Sequence, residues 1–354
     1  MLAELVDHVI GVDPDRDWIT VAVLDAHTSG VIATDRFRTS RDGYRDAIGW
    51  ADAHSTASER AWVIEGTASF GRGLTMALQR DDELVVEFDR PVRKAAKDGA
   101  KSDALDAIRA ARESLGRDRL AEPRAHDGHR EAIRVHHVAR AAAVRARTAA
   151  VNELKAFVVT AHDQLRGELR GLRTRKLVDR CARFRDSDRR DVDDRCTRMA
   201  MRALARRIVH LDAEIADHDR ALKSLIDDAA PQLLAERGIG YVTAAMFYIA
   251  WSHPGRCRNE AAFARLGGVA PIEATSGQTQ ARHRLCRGGD RQLNWALYMV
   301  AITRRRYCPT TRAYIDQRTG EGKTEREAIR CLKRYIARRV WRLLEHPELH
   351  LDTT

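Results

Sequence analysis

The sequence predicts an α/β domain at the N-terminus, followed by long helices and a mostly helical C-terminal part. Short β-branched runs alternate with helix-spaced segments over the first 125 residues. Two long apolar patterns at helical spacing come next, and after Pro231 the apolar helices become shorter. A chain of 354 residues is long enough for two or three domains. We therefore expect domains at 1–125, 126–230 and 231–354.

The N-terminal elements follow from β-branched runs separated by turn residues and from apolar residues at helical spacing. The predicted strands are 8–13, 18–25, 30–37, 61–65 and 84–88, and the predicted helices are 42–55, 70–80 and one from Ser102 onward. Ser102 is a plausible N-cap, with acidic residues in the turn that follows. The resulting order, β-β-β-α-β-α-β-α, is typical of an RNase H-like domain, in which helices flank a mixed sheet.

The middle of the chain shows two long helical patterns. The first runs from about 130 to 173, and the second from Leu204 to Leu225 without glycine or proline. The charged segment 179–195 connects them. Heptad-like spacing favours an antiparallel coiled-coil arm or a dimerising bundle. Two ordinary packed helices of a globular domain explain the pattern equally well.

The C-terminal part contains short helices around a glycine turn. The segment 233–251 reads as a helix, a "GIG" turn and a second apolar helix. Such a turn either presents backbone N–H groups to a phosphate or simply connects two helices. A helix is predicted from Asp290, and a basic helix over 325–344.

Arginine dominates the charge of the chain. It carries 62 Lys and Arg against 51 Asp and Glu, a formal net charge of +11. Because the planar guanidinium group suits phosphate, nucleic acid is the first partner to consider. Solvated surface cations are the alternative. Four arginines follow Ser276 in the segment 271–294, and we take them as candidate phosphate contacts: Arg282, Arg284, Arg287 and Arg291.

Cysteine usage and hydropathy bear on the compartment. The six cysteines contain no C-x-x-C pair, which favours reduced thiols over a zinc site or a disulfide framework. The N-terminus lacks the pattern of a signal peptide, and no run reaches the roughly 18 apolar residues of a membrane span. We therefore expect a soluble, cytoplasmic protein without a membrane partner.

Four acidic residues lie where metal-dependent chemistry could use them. Asp13 and Glu65 end predicted strands, and Asp103 and Asp106 share one face of a predicted helix. Converging carboxylates repel one another unless a hard cation such as Mg²⁺ or Mn²⁺ lies between them. Taken singly, Asp13 could equally be a turn residue and Asp103 a partner of the helix dipole. Asp15 and Asp17 are interpreted as loop residues.

The motifs together resemble a known family. The segments "IGVDPDRDWITVAVLD", "WVIEG", "AKSDALDA" and "ARLGGVAPIEATSGQTQARHRLCRGGDRQLNWAL" are similar to the DEDD transposases of the IS110 group of insertion sequences. The likeness covers nearly the whole chain. It implies a RuvC-like N-terminal domain, a helical middle and a C-terminal transposase domain.

The resemblance also implies roles for individual residues. Asp13, Glu65, Asp103 and Asp106 match the metal-binding tetrad of the family, and Ser276 matches its serine nucleophile. Thr275 stands where many relatives have a second serine.

The partners implied by the resemblance are donor and target DNA, a bridge-type non-coding RNA that pairs with both, and further copies of the chain. The alternative function is a metal-dependent nuclease, similar to a Holliday-junction resolvase, in which water is the nucleophile. Ser276 would then be only a turn residue.

Overall fold

The computed structural model describes residues 1–67, 69–88, 103–117, 121–124, 128–185, 191–273, 283–285 and 288–350. The chain divides into two compact units, Met1–His126 and Asp127–Thr354. The second unit contains both the long helices and the C-terminal helices. The predicted division of this part at residue 230 stays a prediction.

A mixed five-stranded sheet forms the centre of the first unit. Its strands are β1 (His8–Pro14), β2 (Trp18–Asp25), β3 (Val31–Arg38), β4 (Arg60–Glu65) and β5 (Val85–Phe88), and its helices are α1 (Arg41–Asp52), α2 (Arg72–Arg80) and α3 (Asp103–Leu115). The strand order is β3-β2-β1-β4-β5. β2 pairs antiparallel with both β1 and β3, whereas β4 pairs parallel with both β1 and β5. The predicted element order is confirmed, although the proposed N-cap Ser102 lies outside the described residues.

Each face of the sheet buries its own apolar core because side chains alternate along a strand. Ile10 and Val12 of β1 pack in a cluster that includes Ala47 of α1 and Leu74 of α2. Val9 belongs to the cluster on the other face, together with Val63 of β4 and Ala107 of α3. The α-helices therefore flank the sheet on both sides, with α1 and α2 on one face and α3 on the other.

The described residues of the second unit form helices and one short hairpin. Its elements are α4 (Gly128–Thr160), α5 (Asp163–Leu169), α6 (Thr174–Ala182), α7 (Val192–Ala229), α8 (Pro231–Leu234), α9 (Tyr241–Trp251), α10 (Glu260–Leu266), β6 (Pro271–Glu273), β7 (His283–Leu285), α11 (Arg291–Tyr307), α12 (Pro309–Gly320) and α13 (Glu325–Glu345). No described helix is long and apolar enough to cross a membrane.

The two long helices, α4 and α7, lie antiparallel. His129 near the start of α4 contacts Asp228 near the end of α7 at 2.6 Å, and Arg147 further along α4 pairs with Asp212. The prediction of two long paired helices is thus confirmed.

Their predicted bounds were wrong. The first helix does not continue to 173, because it ends at Thr160 and α5 begins at Asp163. His162, in the break, forms a hydrogen bond with Asp193 in the first turn of α7 at 2.6 Å. The predicted charged connection is also partly helical, since α6 extends to Ala182 and α7 starts at Val192.

The glycine turn connects the short helix α8 to the longer helix α9. Gly238 has φ of +86°, a left-handed conformation that glycine adopts without strain. The helix before this turn is only the four-residue α8, shorter than the pattern predicted, whereas α9 has the predicted apolar character. The helix predicted from Asp290 and the basic C-terminal helix are confirmed as α11 and α13. The hairpin of β6 and β7 was not predicted.

Candidate active site

The ends of two parallel strands bring Asp13 and Glu65 side by side. Val12 of β1 pairs in register with Ile64 of β4, so the residues that follow them are neighbours at the carboxyl ends of both strands. Alternation places Asp13 on the face of Gly11, and Glu65 on the face of Val63, which packs with α3. Both acids are half-buried. The two therefore share one edge and one face of the sheet.

Helix α3 lies directly on this face because β1 carries a glycine at the crossing. A Cβ atom at Gly11 would overlap the carbonyl oxygen of Ala107 and crowd the Cβ of Ala111 at 2.9 Å. Only a residue without a side chain allows this approach. The helix backbone is consequently held against the strand two residues before Asp13.

The direction of α3 determines where its acids lie. Near its C-terminal end, Arg112 donates a hydrogen bond to the carbonyl of Ser29 at 3.3 Å, in the turn between β2 and β3. That turn adjoins the start of β1, where His8 pairs with Asp25. The first turn of α3, with Asp103 and Asp106, therefore lies toward the other end of β1, where Asp13 is found.

The acids share an edge but are not gathered around one point. Asp103 is exposed, and Asp106, with 29% of its side chain exposed, forms an ion pair with Arg109 at 2.8 Å. Among the described residues, no three His, Cys, Asp or Glu side chains are grouped so that they could hold a metal ion. The donor set nevertheless fits a hard divalent cation, because carboxylate oxygens are the ligands that Mg²⁺ and Mn²⁺ prefer.

The serine segment connects the two strands of a small hairpin. β6 and β7 pair antiparallel, with Ile272 opposite Arg284. Ser276 belongs to the connection between them and lies outside the described residues, as do Arg282 and Arg287. The structure describes only the backbone of Arg284, and it shows Arg291 exposed at the first position of α11.

The base of this hairpin is tightly fixed. The backbone N–H of Asp290 donates to the carbonyl of Leu266 at 2.7 Å. A Cβ atom at Gly289 would overlap the backbone of Gly268, so the two chain segments touch through glycine. The chain enters α11 directly from this contact.

A side chain of the protein itself caps the N-terminus of α11. The carboxylate of Asp290 accepts hydrogen bonds from the N–H groups of Gln292 and Leu293, at 2.8 and 3.0 Å. These two N–H groups already bind a carboxylate, which takes the place that a phosphate would otherwise occupy. The arrangement is an ordinary N-cap.

Asn294 and Lys333, which the sequence analysis did not single out, also support the base of the hairpin. Asn294 donates to the carbonyl of Gly267 at 2.6 Å and accepts from the amino group of Lys333 at 2.7 Å. Burial, together with the nearby charge of Arg330, lowers the pKa of Lys333. The contact joins α13 to α11 and, through Gly267, to the end of α10, and no local pattern could have indicated it.

Comparison with known proteins gives these features a context. A family model for DEDD transposases of IS110 matches residues 10–162, which include all four acids. A second model, described as the transposase IS116/IS110/IS902 family, matches residues 230–316, which include Ser276 and the four arginines. The chain belongs to the IS110 family of DEDD transposases.

Curated relatives of this IS110-family chain are proteins of insertion elements. It is 32% identical over 160 residues to an uncharacterized 42 kDa protein of insertion element IS900 from Mycobacterium paratuberculosis, covering 43% of this chain and 39% of the relative. It is 27% identical over 148 residues to an uncharacterized 44.8 kDa protein of IS116 from Streptomyces clavuligerus, covering 41% and 37%. A 43.6 kDa IS110 protein from Streptomyces coelicolor is 30% identical over 105 residues, covering 30% and 26%. The matched part thus spans less than two fifths of each relative.

Proposed function

We propose that this chain is a DNA transposase that cuts and exchanges strands for an insertion sequence. Membership of the IS110 family supports this function, as does the likeness to proteins of insertion elements. The net charge of +11 suits a protein whose partners are donor and target DNA. In this scheme the N-terminal unit is a RuvC-like domain, 126–230 a coiled-coil region and 231–354 the transposase domain.

The observation that carries the proposal is the shared edge of the acidic residues. Asp13 and Glu65 end neighbouring parallel strands, and α3 crosses the same face with Asp103 and Asp106 in its first turn. These four carboxylates would hold Mg²⁺ or Mn²⁺. The bound ion would supply charge stabilisation for the phosphate that is attacked. By holding the ion at the sheet edge, the carboxylates would fix where that phosphate binds.

Ser276 is the proposed nucleophile. Its hydroxyl oxygen bonds to phosphorus, the bond from phosphorus to the 3′ oxygen breaks, and the hydroxyl proton ends on the released 3′ hydroxyl. The covalent phosphoserine link conserves the bond energy, so a 3′ hydroxyl can later rejoin the strand without ATP. Arg282, Arg284, Arg287 and Arg291 hold the phosphate in this scheme.

The family resemblance extends the proposal to two further partners. A bridge-type RNA would choose donor and target by base pairing, while the protein binds backbone and shape. Further copies of the chain would complete the assembly, so that the acids of one subunit serve the serine of another. The basic excess of the chain suits phosphates of both RNA and DNA.

A recombination assay tests this proposal. It combines the purified chain, RNA transcribed from the DNA that flanks its gene, and labelled donor and target DNA. Ser276→Ala and Asp13→Ala should each abolish recombination, whereas the neighbouring Thr275→Ala serves as the control and should retain it. On a denaturing gel, the wild type should give an alkali-sensitive protein–DNA adduct that Ser276→Ala lacks.

Two results would contradict the serine step. Recombination by Ser276→Ala is one, and cleavage by the wild type without any adduct is the other. Cleavage that depends on Asp13 but not on Ser276 would instead indicate the alternative function, a nuclease in which water is the nucleophile.

A further inference from the structure

A half-buried tryptophan and two exposed arginines form a cluster at the edge of the N-terminal sheet. The guanidinium carbon of Arg38 is 3.9 Å from the ring centroid of Trp18, and that of Arg36 is 4.7 Å from it. Trp18 begins β2, and both arginines belong to β3, the edge strand. Stacking on an aromatic ring holds each guanidinium group in place while its N–H donors stay available.

The charges of these two arginines are not neutralised by the chain around them. Both side chains are exposed, and no salt bridge joins either one to a carboxylate within the described ranges of this unit. Arg45 of α1 offers a contrast, because it is also exposed but pairs with Asp42 at 2.6 Å. An arginine pair held by stacking and without a carboxylate partner is suited to phosphate.

The register of the sheet places this cluster on the face of the proposed catalytic acids. Asp13 of β1 pairs with Thr20 of β2, and Thr20 pairs with Arg36 of β3. Partners in one row point to the same face, and Arg38, two residues further, points there as well. Arg36 is thus two strands from Asp13, about 10 Å at a spacing of about 4.8 Å per strand. Helix α3 leaves this outer strand exposed.

One strand of DNA can span that separation. One strand of B-DNA carries a phosphate for every 3.4 Å or so along the helix axis, so about 10 Å corresponds to roughly three nucleotides. A strand that has one phosphate at the acidic edge and crosses the sheet toward β3 can therefore bring a later phosphate to Arg36. Arg38 lies two residues further along β3, beside this path.

We propose that Trp18, Arg36 and Arg38 form a binding site for the phosphate backbone of DNA, beside the acidic edge, that guides the strand to be cut. The inference rests on the proposed function, since the DNA is the substrate of that edge. The arginines bind phosphate without reading sequence, and Trp18 acts as a positioning residue for both. That these three residues lie on one face can be recognised only from the register of β2 and β3.

Binding of full-length chain to a fluorescein-labelled DNA duplex, measured over a range of salt concentrations, tests the site. Every variant is made in the Asp13→Asn background, so that the duplex is not cut. The pair Arg36→Gln and Arg38→Gln should weaken binding about tenfold at low salt and reduce the slope of log Kd against log salt by about 1.8, two phosphate contacts at about 0.9 each. Trp18→Phe should weaken binding less and leave the slope unchanged.

The matched control removes the same charge elsewhere in the unit. Arg41→Gln with Arg45→Gln deletes two exposed arginines of α1, a helix that packs on the opposite face of the sheet. This control should change the slope by far less than the β3 pair does. If the two double variants behave alike, the site does not exist and only the net charge matters.

Two further outcomes separate the possible failures. The β3 double variant should lose less affinity for an RNA duplex of the same sequence than for the DNA duplex. An equal or larger loss of affinity for RNA would overturn the assignment to DNA. In the recombination assay, a fully active Asp13→Ala chain would refute the proposed function of the acids. An inactive Asp13→Ala chain combined with an unchanged salt slope in the β3 variants would refute the guiding site alone.

Discussion

The carbonyl oxygen of Ala107 in α3 occupies the space that a side chain at Gly11 in β1 would fill. This contact lets a helix backbone lie directly on a strand backbone, two residues before Asp13. Ala111, one turn further along α3, also faces Gly11. Small residues on both elements thus decide how closely α3, and with it the acidic first turn, approaches the sheet edge.

Replacing Gly11 should separate the helix from the strand. In Gly11→Ala the new methyl group meets backbone rather than a movable side chain, so we expect a loss of about 1–3 kcal/mol in the free energy of unfolding. Recombination should fall more than stability alone explains, because α3 carries Asp103 and Asp106. Urea unfolding and the recombination assay measure the two effects.

Gly49 provides the control for this substitution. It lies exposed in α1, and a Cβ atom there would meet nothing within 4 Å. Gly49→Ala should therefore stabilise the helix, by about 0.5–1 kcal/mol. Equal urea midpoints and equal activities for the two alanine variants would disprove the role of the Gly11 contact.

The elements of the N-terminal unit could be predicted because their signals are local. Apolar, β-branched runs such as 18–25 form a strand in the structure with the predicted bounds. The position of Asp13 and Glu65 at neighbouring strand ends follows from the same patterns once the mixed topology is assumed. The position of Arg36 beside them does not, because it depends on the pairing of β3 with β2.

The failures concern contacts between distant parts of the chain. Apolar spacing continues from Leu154 through Leu165, so a continuous helix was expected, but the chain turns where His162 reaches Asp193. The strands β6 and β7 have only three residues each, too few for an alternation to be recognised. The contact of Gly289 with Gly268 holds their base together and leaves no periodic trace in the sequence.

Metal binding should relieve repulsion between the acidic residues. We expect Mg²⁺ or Mn²⁺ to raise the melting temperature of the wild type, because a ligand that binds only the folded state stabilises it. Asp13→Asn should abolish this rise, because it removes one of the proposed carboxylate ligands.

Asp17→Asn is the matched control for the metal experiment. Asp17 is exposed in the turn between β1 and β2, in agreement with its interpretation as a loop residue. The variant loses the same charge but should keep the full metal-dependent rise in melting temperature. A rise that persists in Asp13→Asn would remove Asp13 from the proposed metal ligands.

The glycines before α11 allow a test of how the serine segment is held. Gly289→Ala should push the hairpin base away from Gly268, because its Cβ would meet backbone atoms. Recombination that depends on Ser276 should then fall at least tenfold, while DNA binding changes little. Gly288→Ala is the control, since a Cβ there meets nothing within 4 Å and activity should be retained. Loss of activity in both variants alike would contradict the argument.

Glu236 should make the stability of the second unit sensitive to acid. Burial raises the pKa of this carboxyl, but hydrogen bonds and charges from Arg339 and Arg304 outweigh it, and the net pKa lies below its usual value of 4.5. A lowered folded-state pKa means that the stabilisation is complete above about pH 4.5 and is lost as pH falls through the folded value. Glu236→Gln should cost about 2 kcal/mol at pH 7 and less at pH 4, as measured by urea unfolding.

Glu325→Gln serves as the control for the pH experiment. Glu325 pairs with Arg305, but 45% of its side chain is exposed, and exposed ion pairs contribute little. Its loss should change the free energy of unfolding by well under 1 kcal/mol at either pH. A cost for Glu236→Gln that does not shrink on acidification would disprove the linkage.

Cys308 should be the fastest of the described cysteines to react with iodoacetamide at neutral pH. It precedes α12, and hydrogen bonds from the side chains of Thr310 and Thr311 and from the backbone N–H of Thr311 lower its pKa to about 6. Burial instead raises the pKa of Cys181 to about 11. Because the thiolate is the reactive form, the alkylation rate of Cys308, followed by peptide mass spectrometry, should reach half its maximum near pH 6.

Two threonine substitutions in α12 test whether the hydrogen bonds to Cys308 lower its pKa. Thr310→Ala removes the first of the hydrogen bonds to the thiolate, so the midpoint of the alkylation profile should move to higher pH. Thr319→Ala removes a hydroxyl that binds the carbonyl of Asp316, further along the same helix, and should leave the midpoint unchanged. A Cys308 rate that keeps rising up to pH 8.5 in the wild type would show that its thiol is not stabilised as a thiolate by this helix start.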